Sequence, residues 1–297
     1  MRVSVIIVTY NGMKWLPKLL LSIPEKYHII FVDNNSSDET VPYLRQQKRN
    51  ISLFTNTENL GFGAANNLGI SISMERGDDY VFLLNQDAYL IDDPIDDLIS
   101  VHQKYPEYGI LSPIHLDGTV KKLDNNFGKY LLDVIDNRLL NDFLIKSMLR
   151  QIYSLPFVNA AAWLISKECI GKVGLFDSLF YHYGEDDNYC QRVLYHQFKI
   201  GVVPPSFIIH DRSDRKSNKL SKKQKINQIL LKHKIIAADI NNERGVAYLE
   251  KRLVKLPFVI LIRLFTFSYL EMSLRVNEFV GLIKLIPQVK VSRKNNI

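Results

Sequence analysis

Asp87 is the first residue whose position suggests chemistry. It follows Asn85 and Gln86 at the end of the run Tyr80 to Leu84, and five consecutive apolar or aromatic residues are too few for a helix but enough for a buried strand. In an open α/β sheet the carboxyl end of a strand lies at the edge where ligands bind. A carboxylate there can hold a divalent cation, and through it a diphosphate. A capped strand end turning into a loop explains the same residues without chemistry, so the other strand ends have to decide.

Three of them carry polar groups of a suitable kind. Asp33 ends the run Ile29 to Val32, where its carboxylate could accept a hydrogen bond from a nucleobase N–H or a ribose hydroxyl; an Asx turn within DNNSSD is the alternative. Thr9, Tyr10 and Asn11 end the first apolar run in a TYNG turn that by itself needs no ligand. His210 closes a later run, and with Asp87 it could complete a site for manganese or a harder divalent ion; a structural or surface histidine is the other reading.

The acidic triplet Glu185, Asp186 and Asp187 opens a helical pattern, where the helix dipole favours carboxylates. Beyond capping, one of them could take a proton from an attacking hydroxyl, and mutual repulsion would raise their proton affinity. Gly61, Gly63 and Asn66 in GFGAAN match the start of G-x-G-x-x-G but lack its third glycine and do not follow the first strand. That leaves a nicotinamide-dependent oxidoreductase as a weak competitor. Small residues at this helix start would let it approach a nucleotide or the sheet.

These groups need strand ends gathered on one edge, and the order of elements supplies them. Val3 to Val8, Ile29 to Val32, Ile51 to Phe54 and Tyr80 to Leu84 read as strands. They alternate with helical patterns around Trp15 to Ile23, around Val41 and Leu44 with Asp38 as cap, and over Leu60 to Ile72. Such alternation implies parallel strands with right-handed crossovers. Beyond Asp92 the spacing predicts a helix at Leu98 to His102, a strand at Gly109 to Ile114, and a turn or hairpin through Asp117 and Gly118. Residues 127 to 154 read as a loop or short helix over the site. A strand over Phe157 to Ile165, a loop over Gly171 to Phe180 and a helix over Glu185 to Tyr195 follow. The last strand, Ile200 to Ile209, is broken at Pro204 and Pro205.

Charge divides the chain in two. From Arg212 onward there are 19 Lys and Arg against 6 Asp and Glu, a net charge of +13, which leaves −6 for the residues before it. An acidic first part argues against a nucleic-acid platform, whereas a basic end suits an anionic surface. Cys169 and Cys190 offer neither a disulfide framework nor metal spacing, as expected of a reduced cytoplasmic protein. The strand-like run from Val3 leaves no room for a secretion leader.

Residues 219 to 240 read as a helix. Leu256 to Leu270, interrupted by Arg263, falls short of the ~20 apolar residues of a spanning helix. Amphipathic helices that dock on the core and touch an anionic inner-leaflet surface are the favoured reading. Packing on the core, or on a partner subunit in a homo-oligomer, is the other.

Taken together, VSVIIVTYNG, VDNNSSD, NLGFGAANNLG, LLNQDA, VGLFD and GEDDNYCQR resemble, in order, the family 2 inverting glycosyltransferases of the GT-A fold, especially their rhamnosyltransferase-like branch. The likeness covers roughly residues 1 to 213. It implies an α/β fold, a Rossmann-like mixed sheet flanked by helices. Residues 1–215 would be catalytic, with a nucleotide-binding half at about 1–90 and an acceptor half at about 91–215, and residues 216–297 would form a basic helical extension.

The same resemblance assigns roles. Thr9, Tyr10, Asn11 and Asp33 would hold the nucleoside, with Asn66 near the nucleotide-facing helix start. Asn85 and Asp87 would occupy the D-x-D position, Asp87 contacting Mn2+ or Mg2+ and the diphosphate. His210 would be a further metal ligand, and Asp186, beside Glu185, the general base. Two departures stand out: Asn85 replaces the first acid of D-x-D, and Asn188 stands where many relatives have aspartate in E-D-x-D. The reaction implied is sugar transfer, with inversion, from a nucleoside-diphosphate donor to a glycan or lipid-linked acceptor in bacterial surface polysaccharide synthesis. A non-catalytic nucleotide-sugar or glycan-binding protein on the same fold is the competing reading.

Overall fold

The computed structural model describes residues 1–132, 138–212 and 220–297. They form two compact units, Met1–Asp214 and Arg215–Ile297. The boundary expected between residues 215 and 216, and the first residue of the helix expected over 219 to 240, fall outside the described residues.

The first unit opens with strand β1 (Val3–Thr9), helix α1 (Leu16–Ser22), β2 (His28–Asp33), α2 (Thr40–Arg45), β3 (Ile51–Thr55), α3 (Phe62–Glu75) and β4 (Tyr80–Leu84). β3, β2, β1 and β4 lie side by side, all parallel. Because side chains alternate across a strand, Ile6 faces one layer with Ile30, Val81 and α3. Val5 and Ile7 face the other layer with Phe31, Phe82 and Leu16 and Leu19 of α1. Burial on both faces explains why β2 and β4 read as unbroken apolar runs, while β3, at the sheet edge, is only partly covered. Gly69 of α3 is required for close approach to the sheet, since a Cβ there would meet Ile6 Cγ2 at 2.5 Å.

Beyond β4 the sheet becomes mixed. β5 (Ala88–Ile91), α4 (Pro94–Lys104), β6 (Tyr108–Asp117), α5 (Asn125–Leu132), α6 (Arg138–Leu144), β7 (Tyr153–Ser154), β8 (Ala162–Ser166), α7 (Lys167–Val173), α8 (Glu185–Tyr195) and β9 (Lys199–His210) follow. The sheet order is β3-β2-β1-β4-β8-β6-β9-β5, with β7 on β9. β8 runs antiparallel to both β4 and β6.

Several expectations are corrected. Residues 127 to 154 contribute to α5, α6 and β7 rather than one loop or short helix, although 133–137 lie outside the described residues. The strand expected from Phe157 starts only at Ala162, because Ala161 N–H turns back to the Asn159 carbonyl at 2.8 Å. Helix α7 takes up the start of the loop expected from Gly171. Asp38 is not the cap of α2; Glu39 holds that position, while Asp38 accepts the Thr40 N–H at 3.0 Å.

The expected break at Pro204 and Pro205 does not occur. Opposite β6, the register jumps from Pro113↔Val203 to Ile114↔Phe207, so both prolines lie in a bulge where no ladder N–H is required. The strand therefore continues to His210 and pairs with β5, a strand for which the sequence set no expectation.

The second unit consists, among the described residues, of α9 (Lys222–Ala238), α10 (Gly245–Phe265) and α11 (Tyr269–Asn295). Ser221 and Gln224 form a reciprocal capping box at the start of α9. The apolar stretch Leu256 to Leu270 is divided between α10 and α11 by a turn at Thr266–Ser268. Inside the unit, Glu278 is fully buried and accepts from Arg252 at 2.7 Å and Arg275 at 2.7 Å, with His233 Nε2 at 3.0 Å. These partners hold its carboxyl down at about 2 against the cost of burial.

Candidate active site

Adjacent strand ends assemble the nucleoside side. Thr9 ends β1 directly opposite Asp33 at the end of β2, and its hydroxyl donates to Asp33 Oδ1 at 2.9 Å. The Ser36 N–H and hydroxyl also donate to Asp33, at 2.8 and 2.5 Å. The backbone donor lies three residues on rather than the two of an Asx turn, so the expected Asx turn is replaced by a wider loop that fixes the buried carboxylate at the sheet edge. Asn11, at φ +48°, donates its N–H to Ser36 Oγ at 2.8 Å. Tyr10 exchanges backbone hydrogen bonds with the Gln86 amide, at 2.9 and 3.2 Å, and leaves its ring half exposed. Gln86 thus ties the β1 turn to the end of β4, a role that sequence reading missed because the middle residue of N-Q-D carries no charge.

Asn66 is the member of the predicted set that these strand ends do not gather. It is 1% exposed and returns its amide to the Phe62 carbonyl one turn back in α3, at 2.9 Å. The glycines beside it serve packing. A Cβ on Gly61, at φ +83°, would lie 2.1 Å from the Tyr181 carbonyl oxygen, and one on Gly63 would lie 3.2 Å from Phe176 Cβ. The partial fingerprint is therefore the seat of the 174–183 loop, which Asn67 also grips through both Phe176 backbone groups at 2.8 and 2.9 Å.

On the diphosphate side, pairing of Ala88 with His210 brings the start of β5 against the end of β9. The Asp211 N–H donates to the Asp87 carbonyl at 2.8 Å, and His210 Nε2 lies 3.4 Å from Asp87 Oδ1. Both side chains are buried. Arg212 Nε donates to His210 Nε2 at 3.2 Å and lies 3.7 Å from Asp124 Oδ2. Asp124 in turn caps the start of α5 through the Asn126 and Phe127 N–H groups, each at 3.0 Å. Sequence reading counted Arg212 only toward the basic end; the signal it could have used was adjacency to a strand-end histidine.

Asp87 and His210 offer two donors, and among the described residues no three His, Cys, Asp or Glu side chains converge on one point. Asn85 Oδ1 is buried without a partner two residues from Asp87. Such a donor set fits a hard divalent ion that completes its shell with diphosphate oxygens and water.

The base side is tied to the same edge by two consecutive residues. Asn85 donates its N–H to the Ala161 carbonyl at 2.9 Å, and the Ala160 backbone lies close enough to the Asp186 carboxylate to lower its proton affinity. Asp186 stands in the first turn of α8, whose N-cap Gly184 and preceding Tyr183 both have positive φ, +86° and +67°. Burial raises its proton affinity, while the Asp187 and Ala160 backbone and the Arg212 charge act in the opposite direction; burial and then the Asp186 charge push the neighbouring Asp187 carboxyl up. Glu185 is 7% exposed with Oε2 unpartnered, and burial, then Asp186, pushes its carboxyl up to about 7.

Asn188, the second departure in the acidic motif, faces away from this chemistry. Its Oδ1 accepts from Arg192 Nε at 3.1 Å. The buried guanidinium also donates to the Val173 and Leu175 carbonyls at 2.8 and 2.6 Å. The triplet is thus held in place by a side chain behind it. Trp163 of β8, stacked on Phe176 at 6.3 Å and beside Tyr189 at 5.9 Å, fills the space between sheet and α8.

Residues 4–174 match the family model described as glycosyl transferase family 2. The chain is 24% identical over 233 residues to an N-acetylglucosaminyl-diphospho-decaprenol L-rhamnosyltransferase of Mycobacterium tuberculosis, covering 70% of this chain and 76% of that one. It is also 24% identical over 212 residues to the dTDP-rhamnosyl transferase RfbF of Shigella flexneri, covering 71% and 69%. Among solved structures, S. aureus TarS 1-349 in complex with UDP-GlcNAc superposes with a TM-score of 0.60 at 17% identity, covering 98% of this chain and 84% of that one. That likeness is one of fold.

Proposed function

The chain belongs to glycosyl transferase family 2, in its rhamnosyltransferase-like branch, and on that premise we propose that it transfers a rhamnosyl-class sugar from a dTDP- or UDP-linked donor, with inversion, to a hydroxyl of a glycan or lipid-linked acceptor. The observation that carries this reading is the two-residue segment Ala160–Ala161, which lies beside the Asp186 carboxylate on one side and bonds Asn85 on the other. It ties a candidate base to the strand end that precedes Asp87.

Thr9, Tyr10, Asn11 and Asp33 bind the nucleoside, and Asp33 accepts from the base while Thr9 and Ser36 hold its carboxylate. Asp87 and His210, with Asn85 beside them, hold Mn2+ or Mg2+. When bound, the ion neutralises the charge that builds on the departing diphosphate. Asp186 takes the proton of the acceptor hydroxyl as that oxygen bonds to the anomeric carbon. The bond from that carbon to the diphosphate breaks on the opposite face, the electron pair leaving with the nucleoside diphosphate. Burial suits Asp186 to this, since it raises the basicity of its carboxylate. Arg212, next to His210, adds a fixed positive charge on the diphosphate side. The proposed setting is the cytoplasm, against the inner face of the cell membrane, in surface polysaccharide synthesis.

A donor-hydrolysis screen over dTDP-, UDP- and GDP-sugars with manganese or magnesium, with and without lipid-linked acceptor extract, tests the reading. The expected result is nucleoside-diphosphate release that is largest with dTDP-rhamnose, rises with acceptor and is lost on chelation. Release from none of the donors would overturn it.

A further inference from the structure

From Pro257 to Ser273, through the end of α10, the turn and the start of α11, no residue is buried. Phe258, Phe265 and Phe267 are 68%, 72% and 76% exposed, with Leu261, Ile262 and Leu270 open beside them. An apolar surface that continuous marks an interaction site rather than scattered surface side chains.

The turn presents this surface against its own backbone preference. Ser268 N–H donates to the Arg263 carbonyl at 3.0 Å and Phe267 N–H to the Leu264 carbonyl at 3.2 Å, a Schellman ending of α10 with Phe267 in the left-handed position at φ +53°. Glycine is usual there, because a Cβ makes that conformation costly. A ring three-quarters exposed gains little from the fold to offset the cost.

Charge selects the occupant. Lys251 and Lys255 are exposed on α10 and Arg263 lies within the apolar stretch, in a segment of net charge +13 from Arg212 onward. A second copy would bring like charge to the same place. Anionic headgroups pair with these cations while the aromatic turn enters the headgroup–acyl boundary. Among the described residues no helix is long and apolar enough to cross a membrane, so the contact lies in the interface.

We propose that the α10–α11 turn, with Phe265 and Phe267 at its tip and Phe258 two helical turns back along α10, is a wedge that docks the protein on an anionic bilayer surface. This rests on the reading of a transferase with a membrane-borne acceptor and names the element that meets the lipid. The test is flotation of the full chain with vesicles of phosphatidylglycerol and phosphatidylcholine, and with phosphatidylcholine alone, with donor hydrolysis measured on the same preparations. Wild type is expected to float with anionic vesicles and at least tenfold less with neutral ones. Phe265→Glu combined with Phe267→Glu should lose binding at least tenfold while donor hydrolysis and far-ultraviolet circular dichroism stay unchanged. Wild type that does not float, undiminished flotation of the double variant, or concentration-dependent dimerisation through the turn without vesicle binding would each overturn the wedge. Absent donor hydrolysis in a chain that floats would instead count against the transferase reading alone.

Discussion

Asp33 is immobilised by the Thr9 hydroxyl and by the Ser36 N–H and hydroxyl, the preorganisation that the nucleobase-binding role proposed for it needs. The Asp186 carboxylate accepts the Asp187 N–H at 3.0 Å and burial raises its proton affinity, which suits the basic role proposed for it. Asp186→Asn is expected to leave donor affinity within about twofold and to lower transfer by roughly 10²–10⁴-fold, the range of a lost general base; titration calorimetry and turnover on one preparation check it. Transfer should rise with pH above the ordinary aspartate range as the Asp186 carboxylate ionises.

Glu185 makes an opposite demand on pH. Between pH 4.5 and about 7 the folded chain keeps a proton there that the unfolded chain has released. Its contribution to stability is full below pH 4.5 and is lost as pH rises through 7, a cost on the order of 3 kcal/mol at alkaline pH. Glu185→Gln should therefore raise the Tm at pH 8 and leave it nearly unchanged at pH 4.5, as read by thermal denaturation at the two values.

At the scale of elements, the position of α8 depends on Arg192 more than on capping. Its guanidinium is 1% exposed and satisfies two carbonyls at and just beyond the end of α7. Arg192→Met removes those bonds and is expected to destabilise by about 3 kcal/mol, in the range for orphaned buried polar groups. Denaturant unfolding measures that loss, and kcat should fall more than donor affinity because the acidic triplet loses its support. The α10–α11 turn is the reverse case. Phe267→Gly relieves a left-handed phenylalanine and is expected to add about 1 kcal/mol of stability, visible as a raised Tm, while weakening vesicle binding.

At the scale of the molecule, two units of opposite charge divide the work. The acidic first unit carries the proposed reacting groups; the basic second unit carries the exposed aromatic turn. Screening at high salt acts on exposed charges far more than on buried ones. Raising sodium chloride from 0.1 to about 0.5 M should reduce vesicle binding several-fold with little change in donor hydrolysis, which flotation and turnover measured in parallel would show.

The sequence by itself determined the alternating parallel half of the fold, because strands buried on both faces must read as continuous apolar runs ending in polar turns. It also placed Asp33, Asp87, Asp186 and His210 at element ends, through the abrupt change from apolar to polar residues. It did not reveal β5 or the continuous β9, since whether Pro204 and Pro205 break a strand depends on the register of β6 opposite them. Nor did it reveal Gln86, Arg212 or the packing use of Gly61 and Gly63, whose partners are brought near only by sheet pairing. Local patterning records which side of a segment is buried. Only the tertiary structure decides which distant carbonyl, carboxylate or ring lies against a given side chain, because those contacts depend on how the elements come together in space.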